Sequence, residues 1–463
     1  MNKPLFVIIF LSFLLFRFSI SPVFAQDIQV GPTYTIQPGD TLGVIASKFG
    51  VSIDDIITIN NIENPNILAA GQQIVIPGLE GVTGNLTAET IPLGSSLTSL
   101  SVKHQFPVSM LIKLNKITSP EEVYAGSSLI LPVTDQISLN RSVAIQPGES
   151  ILETAAQVNQ NPWIMILQNN LEKSWLANPA IPLLYAGNSN EPAQQIGALP
   201  FLTSLYFDKL PIIQGQTVKI TATGEQGLYL TGSLSGKELH FSPTGDGRYV
   251  ALQGISALTD PGLVDFSLAV KKTETSKFEI SQKVLVQSGF YPEDPPLSVD
   301  PQTIDPIYTE PEEQTVKQIT STFTPQQLWS GQFRDPVDDP CYKSIFGVRR
   351  IYNGGAYLNY HGGLDYGVCA NLNIYAPAAG TVVFTGPLTA LGNATYIDHG
   401  LGIFTGYGHQ AEILVNIGDH VEPGQQIGII GATGRVTGPH LHWEIWANGV
   451  RVNPVQWLEN TYP

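Results

Sequence analysis

His361-Gly362-Gly363-Leu364-Asp365, answered downstream by His440-Leu441-His442, is the stretch on which the reading of this chain turns. Two histidines and a carboxylate form a ligand set for catalytic zinc that leaves a fourth position open. Histidines at i and i+2 share one face of a β-strand, one pleat repeat apart. One of that pair can bind a metal while its neighbour stands beside it. The Gly362-Gly363 step lets a loop fold back so that His361 and Asp365 converge.

The only cysteines, Cys341 and Cys369, flank this loop. In an exported chain such a pair points to a disulfide, and closing the loop would stabilise by about 3–4 kcal/mol. Free thiols or thiolate zinc ligands are the alternative. Export is read from residues 1–25. Lys3 supplies a positive start, residues 5–16 are apolar, and Val23-Phe24-Ala25 precedes a cut before Gln26. An uncleaved anchor is the competing reading, but the run is short for a span and Arg17 interrupts it. No cysteine follows the cut, so lipid anchoring lacks support, and no other segment could span a membrane.

A chain of 463 residues exceeds one core and predicts three or more domains. Only 13% of residues are charged, beside 44 Gly and 34 Pro, which predicts short strands and many turns. The net charge of −16 disfavours electrostatic binding to nucleic acid or an anionic membrane.

Residues 33–77 read as strand, helix, helix, strand. Tyr34 and Ile36 alternate with polar residues, and Pro38-Gly39-Asp40-Thr41 turns into a helix carrying Leu42, Ile45, Ala46 and Phe49 on one face. Ser52 with Asp55 has the spacing of a capping box for a second helix, which Asn60-Asn61 ends. The unit recurs: Ala70-Gly71-Gln72-Gln73-Ile74-Val75-Ile76-Pro77 matches Ala125-Gly126-Ser127-Ser128-Leu129-Ile130-Leu131-Pro132, giving a second copy over 88–132. A third, over 142–188, begins Ile145-Gln146-Pro147-Gly148-Glu149-Ser150-Ile151 and passes through Asn169-Asn170. The first repeat resembles the LysM module. That resemblance implies binding of N-acetylglucosamine-containing glycan between the Gly39, Asp40, Thr41, Leu42 loop and a second loop near 66–71, largely through backbone groups. The second and third copies are degenerate, with Ser95 in place of the turn Asp.

Residues 197–290 alternate as an all-β domain, in Val264, Phe266, Leu268, Val270 and in Phe278, Ile280, Val284, Val286. About seven strands suggest an immunoglobulin-like sandwich. Residues 291–328, rich in Pro, Glu, Thr and Gln, read as a linker with one helix near 312–320. From 330 to 460, glycines and short apolar runs predict a compact antiparallel β domain.

This last domain resembles the lysostaphin/LytM zinc endopeptidases. The resemblance rests on three ordered motifs. They are His361-Gly362-Gly363-Leu364-Asp365, Tyr407-Gly408-His409, and the run from Gly431 through Pro439-His440-Leu441-His442-Trp443-Glu444. It implies zinc on His361, Asp365 and His442, with His409 and His440 as catalytic histidines. It further implies a secreted or periplasmic enzyme that cuts peptide bonds of peptidoglycan while the LysM repeats hold it on wall glycan. A non-catalytic wall-binding protein or amidase activator, or a latent peptidase, is the alternative, and Asn353 offers an oxygen to an occluding loop. Glu444 is a candidate partner for a ligand histidine. His399 and His420 read as non-ligands, His104 as exposed and His240 as a half-exposed strand residue. Arg349 and Arg350 read as fold-holding ion-pair residues, with contact to a peptide carboxylate as the alternative.

Overall fold

The strand–helix–helix–strand order of the first repeat follows from its caps. In the computed structural model, which describes residues 31–463 apart from 38, 80–81, 83, 134–138, 147, 178–181, 188–198, 274 and 355–358, α1 (Leu42–Phe49) starts where Thr41 accepts from Val44 N. It stops at Gly50, whose φ of 62° suits a residue without Cβ. Helix α2 (Ile53–Asn60) is capped by Ser52 accepting from Asp54 N, not through the Ser52/Asp55 box that the spacing predicts. Strands Thr33–Thr35 and Gln73–Val75 pair antiparallel, and Tyr34, Ile45, Phe49, Ile56 and Ile74 fill the space between sheet and helices. The chain divides into two compact units at residue 86, and this repeat lies in the first. Residues 1–25 lie outside the described residues.

The second repeat carries α3 (Leu97–His104) and α4 (Val108–Asn115), and the third carries α5 (Ile151–Gln157) and α6 (Pro162–Gln168). Here reciprocal capping boxes do form, through Ser96/Ser99 and Ser150/Glu153. One device unites all three repeats. The Asn ending each second helix clamps the backbone of the closing strand with its side-chain amide: Asn60 on Val75, Asn115 on Ile130 and Asn169 on Leu184. Each clamp spans the same 15 residues.

Residues 202–287 form two facing sheets. One runs Lys237–His240, Tyr229–Leu234, Gly262–Lys271, Lys277–Gln287, Ile212–Ile213. The other runs Ser242–Gly245, Arg248–Gly254, Thr217–Gly224, Leu202–Phe207. Phe266, Leu268 and Val270 alternate inward as the sequence predicts and meet Leu205, Phe207 and Ile220. The described residues here form nine strands against the roughly seven expected, because hairpin strands of two to four residues are too short to show periodicity. The second repeat is docked on the sandwich. Gly94 N donates to Gln282 Oε1, and Ala125 exchanges backbone bonds with Lys283 and Leu285.

The C-terminal domain is built on an antiparallel sheet. Its order is Tyr342–Ser344, Leu364–Tyr366, Leu441–Ala447, Ile403–Ile413, Gly392–Gly400, Gly380–Leu388, His420–Val421. Its core takes in Val250 and Leu252 from the sandwich, beside Trp329, Ile403, Leu441, Trp443 and Trp457. Trp457 Nε1 and Gln456 also bond Thr217. The segment 291–328 is therefore no free spacer between two independent bodies. It holds α7 (Pro306–Thr320), which starts six residues earlier than expected because Asp305 caps it and Pro306 opens it. Val316 and Thr320 are buried against the C-terminal domain, where Val316 joins Leu391, Tyr396, Phe404 and Trp446. A final helix, α8 (Pro454–Glu459), carries Trp457.

Candidate metal centre and catalytic groove

Strand register brings the motifs together. Asp365 stands opposite His442 across one strand pair, and Gly408 opposite His442 across the next. His361 reaches the same point from the preceding loop, anchored by backbone bonds with Val348 and Gly347. Neither Gly362 nor Gly363 has positive φ. They are needed for close approach instead. A Cβ on Gly363 would lie 2.4 Å from Trp443 O, and one on Gly362 would lie 2.7 Å from Arg451 Cδ.

Three atoms converge. His361 Nε2 lies 2.9 Å from Asp365 Oδ1 and 3.0 Å from His442 Nδ1, which is 2.8 Å from the same oxygen. The outer ring nitrogens fix the tautomers. His361 Nδ1 donates to Ile345 O at 2.8 Å, and His442 Nε2 faces Glu444 Oε1 at 3.2 Å. With those protons placed outward, both inward nitrogens carry lone pairs beside a carboxylate. Three acceptors this close repel unless a cation sits among them, and the separations approach the roughly 3.3 Å edge of a tetrahedral site with ligand bonds near 2 Å. The donor set thus fits a metal ion, and it is the only such cluster among the described residues.

The surrounding carboxylates favour positive charge at this point, either a cation or the proton that a cation would displace from His442. Burial alone would raise Asp365, yet His361 and His442 hold its carboxyl well below the usual range. Burial lowers His361. Burial also opposes charge on His442, but Asp365 and Glu444 push it up to about 9. Glu444, despite complete burial, is held at about 2, first by Arg451 and then by His442. It also accepts from Tyr396 and Trp446. Arg350 pairs with Asp294 at 3.5 Å and with Asp365 at 3.7 Å and lines the groove, and Arg349 Nη2 donates to Ala257 O.

His409 and His440 stand beside the cluster with ring centroids 4.7 Å apart. His440 Nδ1 bonds Gly438 O, and its Nε2 lies 3.7 Å from Asp365 Oδ1. His409 adopts a φ of 62°, in the left-handed region, and its Nδ1 bonds Thr433 O. Burial pushes it down to about 3, with His442 and His440 adding to the effect. In both rings the bonded Nδ1 carries the hydrogen, so Nε2 is the free acceptor. The groove holds about 780 Å³ and is lined by these histidines, by Lys343, Tyr360 and Arg435, and by Leu297, Ile304 and Glu312 from the segment read as a linker.

The other histidines stay outside. His399 is buried between Ala379 O and Thr405 Oγ1, and His420 pairs with Glu422 at the surface. His240 stacks on Phe323. His104, expected exposed, is partly buried beside Glu89. Asn353 does not offer its oxygen to the metal site, because its amide bonds Val299 in both directions. Arg451, Glu312 and Asp294 went unpredicted. Arg451 is a lone charge among apolar residues, and Glu312 and Asp294 sit in acidic, proline-rich runs where no local pattern singles them out. Cys341 and Cys369 form the disulfide.

In the first repeat, Gly39 takes a φ of 89° and Thr41 spends its hydroxyl on Val44 N. Asp40 accepts from Tyr34 OH at 2.7 Å and Gln37 N at 2.8 Å and pairs with Lys48, while Leu42 is buried. Asp40 and Leu42 are thus turned inward, and Gly39 and Thr41 are exposed. Val44 and Ile67, one beside each loop, are 49% and 71% exposed.

Residues 359–454 match Peptidase family M23, and residues 34–77 and 90–132 match the LysM domain. The peptidoglycan DD-endopeptidase ShyC of Vibrio cholerae is 39% identical over 121 residues, 26% of this chain and 28% of that protein. The DD-carboxypeptidase/endopeptidase Mpg of Neisseria meningitidis is 42% identical over 95 residues, 20% of this chain and 22% of that one. The chain thus spans less than a third of the length of these curated relatives. The catalytic domain of the antimicrobial peptidase lysostaphin from Staphylococcus simulans is 27% identical, with a TM-score of 0.21, over 28% of this chain and 90% of that domain. The chain thus carries a domain of Peptidase family M23 over residues 359–454, with LysM domains ahead of it.

Proposed function

We propose that the protein is an exported zinc endopeptidase that hydrolyses peptide bonds of peptidoglycan and is held on the wall by its LysM repeats. The observation that carries this reading is the convergence of two lone-pair nitrogens and a carboxylate within 3.0 Å, with two further histidines alongside. His361, Asp365 and His442 hold the metal, and zinc suits two imidazoles and one carboxylate. A zinc ion held there would supply polarisation of the scissile carbonyl and acidification of water. His440, with Nε2 free toward the cluster, accepts the proton of the attacking water. Once its free Nε2 has taken up the proton that His440 received, His409 passes that proton to the leaving amine or, while it holds it, stabilises the developing oxyanion. Its depressed pKa keeps it neutral and ready to accept at neutral pH. Glu444 holds His442 in the tautomer the metal needs. Tethering raises local substrate concentration, so a weak glycan contact through 39–42 and 66–71 still matters. The 202–287 sandwich is read as immunoglobulin-like and sets spacing. The wall or periplasm is the place of action.

The test uses the full chain, because the sandwich contributes to the peptidase core. Purified peptidoglycan is incubated with the zinc-loaded protein, with and without chelator, beside His440→Ala. New amine ends that vanish in both controls are the expected result. A folded, zinc-loaded chain that releases none would move the weight to a wall-binding or activator role.

A further inference from the structure

Glu312 is the one carboxylate that the linker-like segment buries against the peptidase domain, and it is spent on backbone beside a catalytic histidine. It is 9% exposed, on the same face of α7 as Val316. Its Oε2 accepts from Ala390 N at 2.6 Å and its Oε1 from Leu391 N at 3.2 Å. The carbonyls of those same residues point the other way. Leu391 O accepts His409 N at 2.7 Å, and Ala390 O accepts Arg435 N at 2.8 Å.

The two loops that hold His409 are therefore locked to each other and to α7. His409 Nδ1 bonds Thr433 O, and Asn393 N bonds Thr433 Oγ1 at 2.9 Å. A Cβ on Gly392 would lie 2.3 Å from Thr433 Oγ1, and one on Gly434 would lie 2.4 Å from Gly392 N, so only glycine permits this approach. Arg435 Nη1 reaches across to Thr303 O at 2.7 Å, tying the second loop to the turn before α7.

We propose that Glu312 is a positioning residue for the peptidase, clasping the 390–391 backbone so that His409 keeps its left-handed conformation and its place in the groove. Glu312 lies outside residues 359–454, so the clasp would make α7 part of the catalytic apparatus. A φ of 62° is strained for a histidine and persists only where neighbours impose it. Backbone N–H to Leu391 O is one of the two bonds that do so.

The proposal rests on the peptidase reading. The test measures kcat and KM of the full zinc-loaded chain on a soluble cross-linked muropeptide, for wild type, Glu312→Ala, Glu312→Gln and the exposed α7 control Gln314→Ala. Zinc content is measured alongside. For Glu312→Ala, kcat falls on the order of tenfold to a hundredfold, because a displaced His409 no longer meets the reacting group. KM stays within about twofold and zinc content is unchanged, since no metal ligand moves. Glu312→Gln, which keeps one acceptor oxygen, recovers part of kcat, and Gln314→Ala matches wild type. Unchanged kcat in Glu312→Ala overturns the assignment, as does a joint fall of kcat and zinc content, which marks general loosening. If the alanine chain does not fold, the nearly isosteric glutamine chain is read by the same criteria. An inert wild type breaks the peptidase reading and this assignment with it. An active wild type with an unaffected Glu312→Ala breaks this assignment alone.

Discussion

The metal groove and the 39–42 loop of the first repeat carry equally recognisable motifs, and they use them in opposite ways. In the groove, His361, Asp365, His442, His409 and His440 turn their side chains toward one another. In the loop, Asp40 and Leu42 turn inward, onto Tyr34 and Lys48 and into the core. A motif of the first kind states its chemistry directly, because side chains do the work. A motif of the second kind states only that a backbone shape is maintained, and the ligand meets what that shape exposes.

That contrast can be broken. The largest effect is expected at the ligands: His442→Ala or Asp365→Ala should cut peptide-bond hydrolysis on the order of ten-thousandfold and abolish stoichiometric zinc, read by metal analysis and amine-end release. Activity surviving loss of a ligand would break the reading of the groove. Next come His409→Ala and His440→Ala, each lowering kcat by about a hundredfold to a thousandfold with zinc retained. Zinc lost with either would move that histidine into the ligand set.

A buried histidine outside the groove sharpens the point that proximity, not residue type, makes a site. His399, pushed down to about 4 by burial, stays neutral in the folded chain where the unfolded chain protonates it near its ordinary 6.5. The unfolded state binds more protons in that window, so stability falls as pH drops from 6.5 to 4, by up to about 3 kcal/mol. Urea unfolding of wild type and His399→Gln across this range should show a flatter dependence for the variant, with hydrolysis at pH 7.5 unchanged. A change in zinc content would tie His399 to the site after all.

The smallest effects belong to the first repeat. Asp40→Ala should lower its stability by about 1–2 kcal/mol through lost bonds to Tyr34 and Gln37. Affinity for chitin-type oligosaccharides should stay within about threefold where the repeat remains folded. Ile67→Asp should do the reverse, weakening binding with little change in unfolding. If Asp40→Ala abolished binding in a folded repeat, the loop would work by side chains, as the groove does.

Sequence alone determined the residues that matter and the units that repeat. Five polar residues in three ordered motifs are improbable without a shared site, and the 15-residue Asn clamp recurs even where the third copy fades. Inward alternation from Phe266 to Val270 was legible because a pleated strand has a fixed period. Tertiary structure alone decided what those units lean on. Residues 291–328 read as a spacer because their composition is polar and proline-rich, yet α7 is seated by one valine, one buried carboxylate and a capped start. The core shared between sandwich and peptidase and the clasp on His409 join segments 240 and 79 residues apart. Such contacts are set by sheet register and packing across the whole fold, and a short-range pattern carries no record of them.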